Sequence, residues 1–277
     1  MASIGTINTL RVMRILDFGA YLDGDNLGDI LLPIKDVPEN CKPEDLLDVF
    51  IYMDSEDRII ATTQQPKAMV GDIAMLEVIA TSKVGAFLNW GLLKDLLVPF
   101  SEQGQAMEVG KSYLVYVYLD EKTNRLAASA KLDNFLDLTP KQYAEEQEVG
   151  LIITFQSELG YKAAVNGLHS GILYANEIYQ ALKPGQKIVG YIKKIRSDGK
   201  LDLILQKPGF EKIDQFSDQL LKELEKTDGF LAYNDKSDPE EIRIRFAVSK
   251  KVFKKAVGSL YKKKKILLED GGIRLIQ

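Results

Sequence analysis

Short runs of alternating apolar and polar residues recur throughout residues 1–213 of the chain. Alternation with a period of two is typical of strands that bury one face, and residues 5–12 and 113–119 show it clearly. Gly, Asn and Asp separate the runs, and residues 120–124 and 197–199 have the composition of hairpin turns. The pattern predicts a chain built mainly of β-hairpins in this region.

One segment occurs three times in this region. Its copies are residues 18–22, 84–88 and 159–165. Each copy precedes a second apolar run and then a basic residue that opens a further strand, namely Arg58, Arg125 and Lys200. These basic residues follow the glycine of their copy by 39, 40 and 40 positions. A period of about 70 residues with constant internal spacing indicates a repeated domain, and about five strands in that length suit a small closed barrel.

Residues 214–277 have a helical pattern instead. Apolar residues recur at helical spacing in residues 216–225 and 252–260, and Ser217 and Ser249 are candidate caps. Ser237 or Asp238, followed by Pro239, predicts the start of a helix between these two. Residues 266–276 indicate a hairpin, so this segment follows the plan of a winged helix.

The fold predicted from these patterns is mainly β, with a small α+β domain at the C-terminus. Three barrels occupy residues 1–66, 67–140 and 141–213, and the winged-helix-like domain occupies residues 214–277. Polar or proline-containing linkers are predicted at residues 64–67, 137–147 and 207–210, the second of them including a short helical spacer. Such linkers favour separate domains arranged in tandem more than domains that share one core.

Composition excludes several classes of protein. The single cysteine, Cys41, cannot form an intrachain disulfide, and the single histidine, His169, has no partner for a zinc-ligand set. No secretory signal and no bilayer-length apolar segment is readable, so we expect a soluble cytoplasmic protein without membrane contact.

Enzyme motifs are missing from the sequence as well. It has neither a Gly-rich phosphate loop nor a dinucleotide fingerprint, and Asp23, Asp25 and Asp29 are interpreted as a solvated loop instead of a metal site. We therefore predict no catalytic residues, no metal, no cofactor and no small-molecule substrate.

Charge is distributed unevenly along the chain, whose overall net charge is −4. Residues 1–66 hold 5 basic and 12 acidic residues, and residues 67–140 hold 7 and 9. Residues 141–213 hold 10 basic and 8 acidic residues, and residues 214–277 hold 14 and 11. A polyanion would be attracted to the C-terminal half, whereas the acidic first copy would repel phosphates and favours a protein partner.

These copies resemble the S1-type RNA-binding domain, a five-stranded barrel of the oligonucleotide-binding class. The resemblance rests on the aromatic-Gly-Ala-aromatic run, the apolar run after it and the basic strand, and residues 190–203 carry it most specifically. Three such barrels followed by a winged helix resemble, over essentially the full chain, the conserved virulence factor B family of bacterial RNA-binding proteins. The resemblance implies binding of single-stranded RNA.

An RNA site on such a barrel combines exposed rings, on which bases stack, with cations for the phosphates. The family pattern implies these contacts in the first two copies: Phe18, Tyr21 and Arg58, then Phe87 and Arg125, with Trp90 in the loop nearby. In the third copy it implies these: Tyr161, Lys162, His169, Tyr174, Lys193, Lys194, Arg196 and Lys200. The S1 pattern usually has histidine where this chain has Pro33, Pro99 and Tyr174. Because only tyrosine keeps a stackable ring there, we expect RNA on the third barrel.

Four lysines of the last predicted helix lie away from its apolar stripe: Lys250, Lys251, Lys254 and Lys255. Lysine supplies charge without the geometry that reads base edges, so these residues indicate non-specific phosphate contact. In a DNA-binding winged helix the same helix would enter the major groove.

The sequence thus predicts a non-catalytic protein that holds single-stranded RNA on its third barrel and winged helix and regulates gene expression. The first two barrels would position or recruit other molecules, including a protein partner for the acidic first barrel. Two alternatives stay open at this point. One is a transcription regulator that binds duplex DNA through the winged helix, and the other is a protein-interaction scaffold.

Overall fold

The computed structural model of the protein describes residues 1–140, 142–178, 180–206 and 213–276. The linker predicted at residues 207–210 and the first residue of the predicted third domain, Lys141, lie outside this part of the chain. The described residues form three closed barrels and a C-terminal domain of helices and a small sheet. The predicted fold class, mainly β with a small α+β domain at the end, is confirmed.

Each barrel has five strands in the order first, second, third, fifth, fourth. The first barrel consists of β1 (Ile7–Leu16), β2 (Gly19–Asp23), β3 (Asp29–Pro33), β4 (Leu46–Met53) and β5 (Ile59–Thr62). The second consists of β6 (Ile73–Thr81), β7 (Gly85–Asn89), β8 (Leu96–Pro99), β9 (Ser112–Asp120) and β10 (Arg125–Ser129). The third consists of β11 (Glu148–Ser157), β12 (Gly160–Val165), β13 (His169–Tyr174), β14 (Lys187–Ile195) and β15 (Leu201–Ile204). Third and fifth strands pair in parallel, and the other recorded pairs are antiparallel.

The repeated glycine is required where the second strand of each barrel begins. A Cβ on Gly19, Gly85 or Gly160 would lie 2.3, 2.1 or 2.1 Å from a backbone carbonyl oxygen of the neighbouring third strand. Real Cβ atoms do not approach an oxygen so closely, so any side chain would push these two strands apart. The glycine that marks the sequence repeat therefore sets the spacing of the two strands.

The first two barrels belong to one compact unit, formed by residues 1–137 and 167–169. Phe50 of β4 packs edge-on against Trp90, with ring centroids 5.6 Å apart, and both rings belong to one buried apolar cluster. Gly5 accepts a backbone hydrogen bond of 2.9 Å from Val70. The linkers predict separate domains in tandem without a shared core, and this prediction is wrong for the first two barrels. The polar linker at residues 64–67 indicates an exposed crossing of the chain, but it carries no information on which barrel faces pack together.

The second unit holds residues 138–166 and 170–277 and contains the C-terminal domain. This domain consists of α1 (Ile213–Lys226), β16 (Phe230–Leu231), α2 (Pro239–Phe246), α3 (Lys250–Lys262), β17 (Ile266–Glu269) and β18 (Gly272–Leu275). Its sheet has the order β16-β18-β17, and residues of all three helices build its core, among them Leu220, Ile242 and Phe253. Three helices and a terminal hairpin confirm the predicted winged helix.

The predicted helix caps are confirmed at two of three positions. Asp238 accepts hydrogen bonds from the backbone N–H groups of the first turn of α2, and Ser249 caps α3. Ser217 does not cap α1, because this helix begins four residues earlier, and its side chain is buried. The helical spacer predicted within residues 137–147 is also wrong, because the described residues there form bends and turns.

Candidate nucleic-acid interface

Strand register identifies equivalent positions in the three barrels. The residue after Pro33, Pro99 and Tyr174 donates its backbone N–H to the carbonyl of Phe18, Val84 and Leu159, respectively. These three bonds give Tyr174 the position that proline has in the first two barrels, as the sequence spacing predicts. Tyr21 lies opposite Arg14, Phe87 opposite Ala80 and Lys162 opposite Phe155. The register therefore places Lys162, not Tyr161, at the position of the rings in the other copies.

In the first barrel, rings and cations do lie together. The guanidinium carbon of Arg14 is 4.3 Å from the ring centroid of Tyr21, and the exposed ring of Phe18 meets Tyr21 edge-on at 6.3 Å. Acids neutralise the cations, however. Arg14 is 3.0 Å from Asp29, and Arg58 pairs with Asp54 and Glu56 at 2.7 and 3.0 Å. This face offers rings to a ligand but little net positive charge.

In the second barrel, two of the residues singled out in the sequence, Trp90 and Arg125, contact the first barrel. Phe87 is half-buried, and Arg125 forms an ion pair with Asp57, which belongs to the turn between β4 and β5. Trp90 is only 2% exposed, and its indole Nε1 donates to the carbonyl of Lys94 at 2.6 Å. Trp90 is therefore a core residue and not an exposed loop contact.

In the third barrel the first strand carries the ring and the second strand carries the cation, whereas in the first barrel it is the other way round. Lys162 on β12 lies opposite Phe155 on β11, the reverse of the order of Arg14 and Tyr21 in the first barrel. The ring of Phe155 is 63% exposed. Sequence reasoning missed Phe155, because alternation with the buried Val149, Leu151 and Ile153 would have placed it inside the barrel, whereas a shift of strand register between residues 153 and 155 turns it outside.

Three polar side chains of the third barrel form a hydrogen-bonded group, the Tyr174–Arg196–Asp202 cluster. Arg196 donates from Nε to Oδ1 of Asp202 at 2.7 Å and from Nη2 to the hydroxyl of Tyr174. The Tyr174 hydroxyl donates to the same Oδ1 at 3.3 Å. The hydrogen bond that Arg196 donates to the Asp202 carboxylate raises the pKa of Arg196 above its usual range. The cluster fixes a permanent cation beside an aromatic ring.

The first two barrels have the opposite charge at the position of Arg196. The backbone N–H of Arg196 bonds to the carbonyl of Lys200 at 2.9 Å, and that of Asp54 bonds to Arg58 at 3.0 Å. Asp120, which lies opposite Arg125, has the same position in the second barrel. The residue equivalent to Asp202 is apolar in both, because the corresponding parallel pairs use Ile60 and Ala127. The cluster is thus specific to the third barrel.

The other predicted residues of this barrel lie in different environments. Lys193 pairs with Glu177, and Lys200 lies 3.2 Å from Asp198. Lys194 is exposed and has no ion pair within the described part of the chain. Tyr161 packs against the barrel core. His169, at 6% exposure, lies at the buried start of β13 and is not presented at the surface.

The predicted lysines of the winged helix lie on α3. Lys250 donates its Nζ to the carbonyl of Ser237 at 2.7 Å and so holds the preceding loop. Exposed residues follow one helical face at the spacing of successive turns: Lys251, Lys254, Lys255, Tyr261 and Lys262. Lys254 has a loose contact of 3.5 Å with Asp235. This face is predominantly cationic and includes one exposed ring.

Among the described residues, no group of three His, Cys, Asp or Glu side chains is placed to hold a metal ion. No helix of this part of the chain is long and apolar enough to cross a membrane.

Comparison with known proteins identifies two kinds of domain. The S1 domain family matches residues 4–64 and 70–131, and the CvfB-like winged helix domain family matches residues 218–275. Both are families of nucleic-acid-binding domains, so the chain is a nucleic-acid-binding protein.

Several relatives are similar over nearly their full length. A Bacillus subtilis protein, YitL, is 27% identical over 273 residues, which cover 95% of this chain and 90% of YitL. Conserved virulence factor B of Staphylococcus saprophyticus is 26% identical, with 99% of this chain and 95% of that protein covered. A crystal structure of a multidomain protein with nucleic acid binding domains from Streptococcus pneumoniae is 22% identical, with a TM-score of 0.41 over 99% of this chain and 98% of that one.

Proposed function

Because the chain belongs to the family of S1-domain proteins that end in a CvfB-like winged helix, we propose that it binds single-stranded RNA without catalysing a reaction. The RNA lies on the third barrel and the winged helix, within residues 141–213 and 214–277. The protein acts in the cytoplasm in the regulation of gene expression after transcription. The first two barrels, residues 1–66 and 67–140, position the RNA-binding half or recruit a protein.

The observation that carries this proposal is the Tyr174–Arg196–Asp202 cluster. An arginine has five N–H donors in a planar fork, and Asp202 and Tyr174 engage only one side of it. The remaining donors suit a phosphate oxygen, while the ring of Tyr174 beside them suits a base. A half-buried carboxylate that holds the arginine in place lowers the conformational entropy lost when RNA binds.

Charge supports the same half of the chain. Residues 141–277 hold 24 basic and 19 acidic residues, whereas residues 1–140 hold 12 and 21. Phosphates are attracted to the first set and repelled by the second, since the potential of a protein surface follows its net charge. Phe155 and Lys162 add a second pair of ring and cation on the same barrel.

Fluorescence anisotropy with the full chain tests the proposal. A labelled 12-nucleotide RNA and a labelled DNA duplex are titrated at several salt concentrations, with Tyr174→Ala and Tyr174→Phe as matched variants. We expect preference for the RNA, weaker binding by Tyr174→Ala, and retention of most affinity by Tyr174→Phe because the stacking ring remains. Equal binding by both variants and the parent chain would contradict the stacking site.

The cationic face of α3 favours a second candidate function. Helices at this position of winged-helix proteins enter the DNA major groove, so a transcription regulator that binds duplex DNA would use Lys251, Lys254 and Lys255. Tighter binding to the duplex than to the RNA, lost on substitution of these lysines but not of Tyr174, would establish this alternative.

A further inference from the structure

A cleft of about 570 Å³ lies between the first two barrels, within one compact unit. Its lining from the second barrel includes Phe87 and Leu97, which are neighbours on β7 and β8. Its lining from the first barrel includes Met53, Ser55 and Asp57, from the end of β4 and the turn that follows it. Phe87 has the register position of Tyr21, so this cleft is the ring-bearing face of the second barrel, closed from one side by the first.

Both basic side chains of the cleft are already engaged by the first barrel. Arg125 pairs with Asp57, and Lys94 donates its Nζ to the backbone carbonyl of Asp54 at 2.6 Å. Burial lowers the pKa of Lys94 below its usual value. Two further carboxylates, Asp95 and Asp120, line the same cleft. The charges left to meet a ligand are therefore mainly negative.

This electrostatic balance disfavours RNA in the cleft. Residues 1–140, which enclose it, hold 12 basic and 21 acidic residues, and a phosphate backbone gains affinity only where cations can neutralise it. A peptide rich in lysine and arginine has the complementary charge. The carboxylates of the cleft and the acidic surface around it would both attract such a peptide.

The apolar part of the cleft suits an anchoring side chain. Leu93 is 73% exposed and Val84 is 58% exposed, although both are large aliphatic residues at the edge of a concave site. A volume of about 570 Å³ is within the range of about 300–1,000 Å³ for binding sites, and pockets that accept one apolar anchor dominate the energy of many interfaces.

We propose that this cleft binds a basic peptide segment of a partner protein, with one large apolar side chain of the peptide inserted against Phe87 and Leu93. The proposal rests on the recruiting role proposed above for the first two barrels, and it names the site and the chemistry of the partner. Basic residues that flank the anchor lie near Asp95 and Asp120.

Trp90 provides a local signal for occupancy of the cleft. It is the single tryptophan of the chain and one of the residues that line the cleft. Its ring packs edge-on against Phe50 at the contact between the two barrels. Tryptophan emission of the full chain, excited selectively over the tyrosines, therefore comes from this one position, provided that the added probe lacks tryptophan.

The experiment selects peptides on the immobilised full chain from a displayed library of random 12-residue sequences without tryptophan. The most enriched peptide is then synthesised and titrated against the full chain while Trp90 emission is recorded. Leu93→Asp replaces an apolar side chain of the cleft by a carboxylate. Leu46→Asp makes the same change at a similarly exposed leucine outside the cleft and is the matched control. We expect enriched peptides with Lys or Arg around a large apolar residue, and binding about tenfold weaker with Leu93→Asp than with Leu46→Asp.

Three outcomes would overturn the proposal: enrichment of acidic peptides, binding that is insensitive to Leu93→Asp, or a Trp90 response to a 12-nucleotide RNA that Leu93→Asp abolishes. The last of these would assign the cleft to RNA. Anisotropy of the labelled RNA is measured on the same variants, and Leu93→Asp is expected to leave it unchanged. Peptide binding in the cleft is therefore read from Trp90 emission, and RNA binding from anisotropy, so each proposal can fail without the other.

Discussion

Replacement of Arg196 tests the proposed RNA site most directly. Arg196→Ala removes the guanidinium that Asp202 and Tyr174 hold at the edge of the third barrel. Arg196→Lys keeps the charge but loses the planar fork that can bond Asp202 and a phosphate at once. The pair of variants separates the contribution of charge from that of geometry.

The size of the effect follows from the bonds that remain for a ligand. Nε and Nη2 are engaged within the cluster, which leaves donors for about one phosphate. A hydrogen bond to a charged group contributes about 1.5–3 kcal/mol, which corresponds to a loss of about 10- to 150-fold in affinity for Arg196→Ala. Loss of one phosphate contact on a single strand also reduces the salt slope of log K by about 0.7.

Anisotropy titrations of the full chain with a labelled 12-nucleotide RNA at four salt concentrations measure both quantities. Arg196→Lys should retain the salt slope of the parent chain and lose only part of its affinity. Because Arg196→Ala leaves the carboxylate of Asp202 without these bonds, thermal melts of each variant must show a folded protein at the assay temperature. An unchanged affinity and an unchanged salt slope in folded Arg196→Ala would refute the assignment of this cluster to RNA.

Three further predictions concern other parts of the chain. Phe155→Ala should weaken RNA binding about fivefold, the lower end of the effect of one stacked base, and leave the melting temperature unchanged because the ring is exposed. Gly85→Ala should lower the free energy of unfolding in urea by about 1–3 kcal/mol, since its Cβ would lie 2.1 Å from the carbonyl oxygen of Val98, whereas Gly104→Ala, with open space around it, should not. Asp238→Ala should lower the free energy of unfolding in urea by about 0.5–2 kcal/mol, because α2 loses its N-terminal cap. An unchanged free energy of unfolding would show that the cap is dispensable.

The barrels could be predicted from the sequence because their signals are local. Alternation defines each strand, and the glycine that begins β2, β7 and β12 is required by a contact with the strand next along the chain. Spacing from this glycine also placed Tyr174 in the position of Pro33 and Pro99. Contacts between barrels, such as that of Phe50 with Trp90, join residues 40 positions apart. Such contacts produce no periodic pattern in the sequence, so they could not be predicted from it.

The candidate site was only partly predictable for the same reason. Lys162 and Tyr174 could be aligned by spacing, but the register shift on β11 hid Phe155 from an argument based on alternation. The family pattern implies a contact at His169 in a loop, yet His169 is the first residue of β13 and is buried. Arg196 was noted for its charge, whereas its role depends on Asp202, which lies across a hairpin and becomes a partner only once β14 and β15 pair.

A single turn explains how similar barrels would come to serve different ligands. The residue that begins the turn before the fifth strand is Asp54, Asp120 or Arg196. Asp54 accepts from Arg58, Asp120 accepts from Lys122 and Thr123 of its own turn, and Arg196 donates to Asp202 and Tyr174. In the first barrel the acid neutralises Arg58, and the same turn supplies Asp57 to neutralise Arg125 of the second. In the third barrel the charge is reversed and Asp202 holds the cation outward beside Tyr174. Exchange of charge at this position, without change of fold, would therefore separate surfaces that repel phosphate from the one proposed to attract it.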